Sequence, residues 1–219
     1  MYTMKEKKTT LYLVRHGESQ ANEKNIFLGH GDLDLSEKGK KQAALTADYL
    51  KNCDLDVIYA SDLSRAYHTA EATAKKVGLP IVKDERLREI ECGEWDFQTF
   101  DFLEENYKES YGVWLSDVGL SAPDGGESVA DMQKRFVAAL EAIAKRHEGK
   151  TVAVFAHATP IRSFQTYCEK KSLREMKSVP WANNASVSKF YFENGVFTPV
   201  FYGVDEFLGT LRTGLPDNV

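Results

Sequence analysis

The sequence predicts an α/β fold: a three-layer sandwich with a mostly parallel central sheet and helices on both faces. Three observations predict it. Short apolar runs at 10–14, 55–60 and 151–156 have the pattern of strands buried on both faces. Segments with apolar residues at helical spacing separate them. An alternation of strand and helix favours a parallel sheet covered on each side.

The first strand is Thr10-Leu11-Tyr12-Leu13-Val14. A helix follows over 36–51, with Ser36 as a plausible N-cap and Ala43, Ala47 and Leu50 on its apolar face. Residues 55–60 form the second strand, and Ser61 is expected to cap a helix that Gly78-Leu79-Pro80 stops. A short third strand covers 81–83. Residues 86–126 are the least regular stretch, with two aromatic-rich helical pieces and the turn Pro123-Asp124-Gly125-Gly126. Val129, Met132, Phe136, Leu140 and Ile143 then keep a 3.6-residue period up to Gly149. Residues 151–156 are another buried strand, and 159–170 a helix with Pro160 in its first turn. Runs at 186–192 and 196–202 flank Glu193-Asn194-Gly195, a hairpin signal.

The length suits a single domain over 1–219, with a polar extension at 1–9 and a tail at 203–219. The tail carries Phe207, Leu208, Leu211 and Leu215, which are expected to fold over the site or onto the body. The formal net charge of −5 argues against a nucleic-acid partner. The apolar run after the lysine-rich N-terminus is too short for a signal segment or a membrane span, so the expected location is the cytoplasm. Cys53, Cys92 and Cys168 are odd in number and widely spaced, giving no disulfide framework and no paired zinc ligands. The exposed edge of the hairpin permits a homodimer.

The chemistry-bearing residues are marked by position. His16 follows the first strand and His157 follows the late strand. In open α/β sheets ligands sit beyond the carboxyl ends of strands, so both are candidates for one site. Arg65, early in the helix after the second strand, faces the same rim. A neutral imidazole can attack phosphorus. Arg15 and Arg65 can hold the phosphoryl oxygens in their fixed forks, and Gly17 allows close backbone approach.

These residues sit in a larger pattern. Leu13-Val14-Arg15-His16-Gly17-Glu18-Ser19 with Asn22, then Phe27-Leu28-Gly29, then Tyr59-Ala60-Ser61-Asp62-Leu63-Ser64-Arg65-Ala66 come in order. Leu87-Arg88-Glu89 with Gly93-Glu94-Trp95, and Ala156-His157 with Ile161-Arg162, follow. Over about residues 11–192 the chain resembles the histidine phosphatase superfamily, the phosphoglycerate mutase-like group. The resemblance implies His16 as the nucleophile that becomes phosphorylated. It implies Arg15, Arg65 and His157 as ligands of the phosphoryl group, and Glu89 as the proton donor to the leaving oxygen. Asn22, Gly29 and Ala158 are carried over as substrate-binding positions. No metal and no cofactor is implied, the partner being a small phosphorylated metabolite. Acidic neighbours Glu91 and Glu94 are expected to raise the Glu89 pKa if close in space. Two positions depart from relatives that commonly carry glycine there: Ala158 after the second histidine, and Phe97 two after the loop tryptophan. Both bear on substrate preference more than on chemistry.

Three activities fit this pattern: a metal-independent phosphatase, a phosphoglycerate mutase-type phosphoryl transfer, and a non-catalytic phosphate-binding module. Residues 96–125 hold one basic residue, Lys108, among seven acidic ones, which disfavours a second phosphate and so a mutase. The intact set of His16, Arg15, Arg65, Glu89 and His157 disfavours a silent module. Two shorter patterns are coincidences of spacing. Cys168-x5-Arg174 lacks the glycine-bearing loop of a cysteine phosphatase, and Asp32-Leu33-Asp34 follows no strand. His30 and His68 are placed near the rim or on the surface. His147 is expected to stand partly positive at a helix end.

Overall fold

The computed structural model describes residues 8–214, so most of the polar extension, and Leu215 of the tail, lie outside the described residues. Six strands form one sheet in the order β3-β2-β4-β1-β5-β6. Strands β1 (Thr9–Arg15), β2 (Val57–Ala60), β3 (Ile81–Lys83) and β4 (Thr151–Ala156) pair in parallel. Strands β5 (Val187–Glu193) and β6 (Val196–Val204) add an antiparallel hairpin beside β1. Asn194 and Gly195 turn that hairpin at φ 53° and 79°, the left-handed pair such a tight turn requires. The helices are α1 (Gln20–Glu23), α2 (Glu37–Leu50), α3 (Ser64–Val77), α4 (Phe100–Asn106), α5 (Lys108–Asp117), α6 (Val129–Arg146) and α7 (Ala158–Cys168).

Alternating strand residues build two cores. Leu11, Leu13, Val152 and Val154 pack against Phe136 and Leu140 of α6 and Phe164 of α7. Tyr12, Val14, Ile58 and Phe155 pack on the other face against Leu50 of α2 and Ala70 and Ala74 of α3. Each large apolar side chain so buried contributes roughly 1.5–3 kcal/mol relative to exposure. A third core lies outside the layers. In it Trp95, Leu103, Tyr111 and Trp114 from the irregular stretch gather on Met132 and Met176.

Some elements differ from the sequence expectation. The strand begins at Thr9, inside the expected extension, with the Thr9 hydroxyl donating to Ala144 O at 3.0 Å. Ser61 does not cap α3. That helix starts at Ser64, whose N–H and hydroxyl donate to the Asp32 carboxylate at 2.8 and 2.7 Å. His147 caps α6 with its ring 3.0 Å from the Tyr59 hydroxyl, and burial together with Arg146 and Lys150 lowers its pKa. It is neutral rather than partly positive near pH 7.

The described part of the tail folds onto the body, and Thr213 and Gly214 line a cavity at the site. Leu208 is buried, and Phe207 stacks on Tyr49 of α2 at 4.6 Å. Gln42 Nε2 donates to Leu211 O at 2.8 Å and to the Thr213 hydroxyl at 2.7 Å.

Candidate active site

The register of two parallel strands brings the histidines together. Arg15 of β1 pairs with Ala156 of β4, so the next residues, His16 and His157, stand side by side with ring centroids 5.1 Å apart. The His16 N–H donates to Ala156 O at 3.0 Å, continuing the ladder by one step. Because β5 runs antiparallel to β1, its start lies at the same rim. The Ala185 N–H and the Asn184 side-chain amide both donate to His16 O, at 3.0 and 3.2 Å.

His16 is held in one tautomer. Its Nδ1 lies 2.7 Å from Gly17 O, which can only accept, so Nδ1 carries the proton and Nε2 keeps its lone pair. Burial first, then the charges of Arg65 and Arg15, hold its pKa well below the usual histidine value. Gly17 in turn donates to the Thr69 hydroxyl at 3.0 Å. A Cβ on Gly17 would stand 2.6 Å from Gly39 O, so only glycine lets this loop pass α2.

The arginines are buried cations. Arg15 Nη1 donates to Ala182 O at 2.7 Å, while its Nε has no partner. Burial lowers its pKa to about 10 despite the nearby Glu89. Arg65 donates through Nη2 to Gly29 O at 2.7 Å and through Nη1 to Gly31 O at 3.0 Å. Gly29 acts as a support here: its N–H donates to Asp96 at 2.6 Å, and an added Cβ would meet Cys92 Sγ at 2.1 Å.

Ser61 follows β2 as His157 follows β4, and Ala60 pairs with Phe155. The Ser61 hydroxyl lies 2.9 Å from His157 Nε2, and the opposite ring nitrogen, Nδ1, is buried without a partner. Burial, Arg65 and His16 lower the His157 pKa well below the usual value.

Glu89 accepts from the Ile90 N–H at 2.8 Å and from the Thr159 N–H at 3.3 Å. Its pKa is raised by burial, against the opposing pull of those two bonds and of Arg65. The expected cause, Glu91 and Glu94, is not among the leading ones. The Glu89 carbonyl accepts from Arg135 Nη2 and from His30 Nε2, both at 3.0 Å. Arg135 also donates to Arg86 O and Arg88 O and pairs with Glu127, so α6 clamps the Glu89 loop. His68 pairs with Asp34 at 2.7 Å on a part-exposed surface.

A cavity of about 450 Å³ adjoins these groups, and Arg15, Asn22, Glu89 and Ala158 line it. Asn22 lies in α1, a helix too short to signal itself in sequence. Its Oδ1 accepts from the Ser19 N–H and hydroxyl, each at 3.0 Å, and from Asn184 at 3.2 Å. Those donors fix the amide orientation and leave Nδ2 as its free donor. Ala158 is the first residue of α7 at an ordinary negative φ, so its Cβ causes no strain. Phe97 does hold a left-handed backbone, φ 66°, with its ring half-exposed beside Gly31 instead of in the cavity wall. Cys168, in the decoy motif, has its pKa raised by burial, the reverse of an activated thiol.

The geometry thus joins Arg15, His16, Arg65, Glu89 and His157 around one centre. Sequence reasoning missed Ser61, Asn184, Arg135 and Gln42. Ser61 was reachable by the strand-end rule that found the histidines. Asn184 was not, because nothing local to it reveals that β5 pairs antiparallel with β1.

Comparison with known proteins shows the family of the chain. The model of the histidine phosphatase superfamily (branch 1) matches residues 11–205. Phosphoserine phosphatase 1 of Hydrogenobacter thermophilus is 38% identical over 184 residues, covering 84% of this chain and 86% of that protein. Among solved structures, YhfR of Bacillus stearothermophilus superposes with a TM-score of 0.88 at 32% identity, covering 91% of this chain and 99% of that one. A phosphoserine phosphatase from Entamoeba histolytica, in complex with 3-phosphoglyceric acid, gives 0.81 at 27% identity, covering 91% and 99%.

Proposed function

This chain is a phosphatase of the histidine phosphatase superfamily, and we propose that it hydrolyses small phosphomonoesters through a phosphohistidine on His16. The observation that carries this reading is the His16–Gly17 hydrogen bond at 2.7 Å. It leaves Nε2 of a neutral ring as the nucleophile, within a buried cationic setting.

In the first step Nε2 attacks phosphorus and the ester P–O bond breaks. Glu89, its pKa raised by burial, delivers its proton to the departing alkoxide oxygen. In the second step water attacks phosphorus, the P–N bond breaks, and the Glu89 carboxylate takes the water's proton. Inorganic phosphate leaves and His16 is restored. The transferring oxygens lie among Arg15, Arg65, the Asn22 amide and the N-terminal N–H of α7 at Ala158. If the Ser61 hydroxyl gives its hydrogen to His157 Nε2, the unpartnered Nδ1–H is one more donor. Donors preorganised in a dry site stabilise developing charge. Two arginines supply the positive charge, so the activity is expected to survive EDTA.

A mutase reading is less well supported. Among the described residues the cavity has one lining cation, Arg15, and Lys108 is exposed on α5. The free cysteines fit a reducing cytoplasm.

The test is labelling with a ³²P-phosphomonoester, acid quench and peptide mapping. The expected result is an acid-labile, base-stable label on the peptide holding His16, lost with turnover in His16→Ala. Full activity in that variant would sink the mechanism.

A further inference from the structure

We infer that the alcohol portion of the preferred ester is uncharged and apolar, aromatic for preference. This rests on the phosphohistidine reading and adds the substrate class of the same site. Beyond Glu89 the cavity has an apolar wall. Ile26, Phe27, Phe100, Tyr111, Trp114 and Trp181 line the cavity together with neutral amide and hydroxyl groups. The wall is a packed aromatic unit: Phe27 lies edge-on to Trp114 at 4.9 Å, and Trp114 lies 6.5 Å from Trp181. At about 450 Å³ the cavity accepts one or two rings beside a phosphoryl group.

The charges point the same way. Among the described residues Arg15 and Glu89 are the charged groups lining the cavity, and both serve the phosphoryl end. Arg162 lies against the Trp181 ring at 4.2 Å, but its Nε and Nη2 donate to Val179 O at 2.7 Å and Lys177 O at 3.3 Å. Arg212, next to the rim residue Thr213, is paired with Asp205 at 2.7 Å. A carboxylate on the substrate would therefore lose water without gaining a cation. An apolar group would leave water and find aromatic faces and edges. The names of two relatives carry phosphoserine, one with 3-phosphoglyceric acid bound; among the described residues this wall offers a substrate carboxylate neutral donors but no cation beyond Arg15.

The test compares benzyl phosphate with 3-phosphoglycerate, both esters of alkyl alcohols, in kcat/KM and in acid-labile phosphate on His16. Benzyl phosphate is expected to be faster by at least about tenfold, the scale on which pocket contacts discriminate. Trp181→Ala is expected to lower benzyl phosphate kcat/KM by about tenfold, mainly through KM. Phe100→Arg is expected to move the ratio toward 3-phosphoglycerate by a similar factor. Equal or faster turnover of 3-phosphoglycerate, with His16 labelled, overturns the substrate class and leaves the mechanism standing. An unchanged ratio in both variants also overturns it. Absence of label from either ester overturns the mechanism and this inference together.

Discussion

His16, Ser61 and His157 each stand one residue past a parallel strand, whereas Trp95, Tyr111 and Trp114 hang on short helices and turns. The first group is placed by backbone ladders. Arg15 pairs with Ala156 and Ala60 with Phe155, and side chains beyond those pairs have little freedom. The second group is placed by mutual packing, with Trp95 edge-on to Tyr111 at 5.5 Å and to Trp114 at 6.2 Å. Ladders set atom positions; aromatic packing sets volume and polarity. Phosphoryl chemistry needs the former, and choice of alcohol needs only the latter.

The contrast can be broken most severely at the ladder end. His16→Ala should reduce steady-state turnover to background. Glu89→Gln should cost roughly 10²–10⁴-fold on alkyl esters and much less on p-nitrophenyl phosphate, whose leaving group needs little protonation. The pH profile has a definite sign. Glu89 acts while protonated, and its pKa is raised, so activity is expected to extend above the ordinary carboxyl range and fall as pH climbs through that raised value. Glu89→Gln should remove that alkaline limb in kcat/KM. Arg135→Ala, which frees the Glu89 loop without touching substrate, should lower kcat by about tenfold and move the same limb. An unshifted profile would make Arg135 merely structural.

Stability offers a smaller lever. His16 and His157 have lowered pKa values in the fold, so the unfolded chain takes up protons first as pH drops below about 6.5. Their part of the stability is therefore present above that pH and lost below it. Urea titrations at pH 7.5 and 5.5 should show the loss, and His157→Asn should lessen the difference. Gln42→Ala, at a fully buried position, strands the Glu18 N–H and two tail acceptors. It should cost about 1–3 kcal/mol, read as a lower urea midpoint. Phe207→Ala removes the stack on Tyr49 and should cost only about 1 kcal/mol, visible as a small drop in Tm.

How far the sequence carries such reasoning depends on the range of the forces involved. Strand runs, the α6 period and the Asn194-Gly195 turn are local patterns, and each matched its element within a few residues. The cap of α3 was misassigned because its acceptor, Asp32, is far away in sequence. The raised Glu89 pKa was expected, but from Glu91 and Glu94; burial, a tertiary property, is the cause. Gly29 was read as a substrate-binding position and Phe97 as a change in the pocket wall; neither lines the cavity, Gly29 supporting Arg65 and Phe97 standing half-exposed in a left-handed backbone.

By itself the sequence determined the α/β class, the order of elements, and the placing of His16 and His157 after strands. Periodicity and strand-end position are properties of neighbouring residues. Only the tertiary structure decided that β5 pairs antiparallel with β1 and delivers Asn184. It also decided that Ser61 serves His157 and not α3, that Arg135 clamps Glu89, and that the tail reaches the cavity through Thr213. Those outcomes rest on hydrogen bonds and burial between residues far apart in the chain.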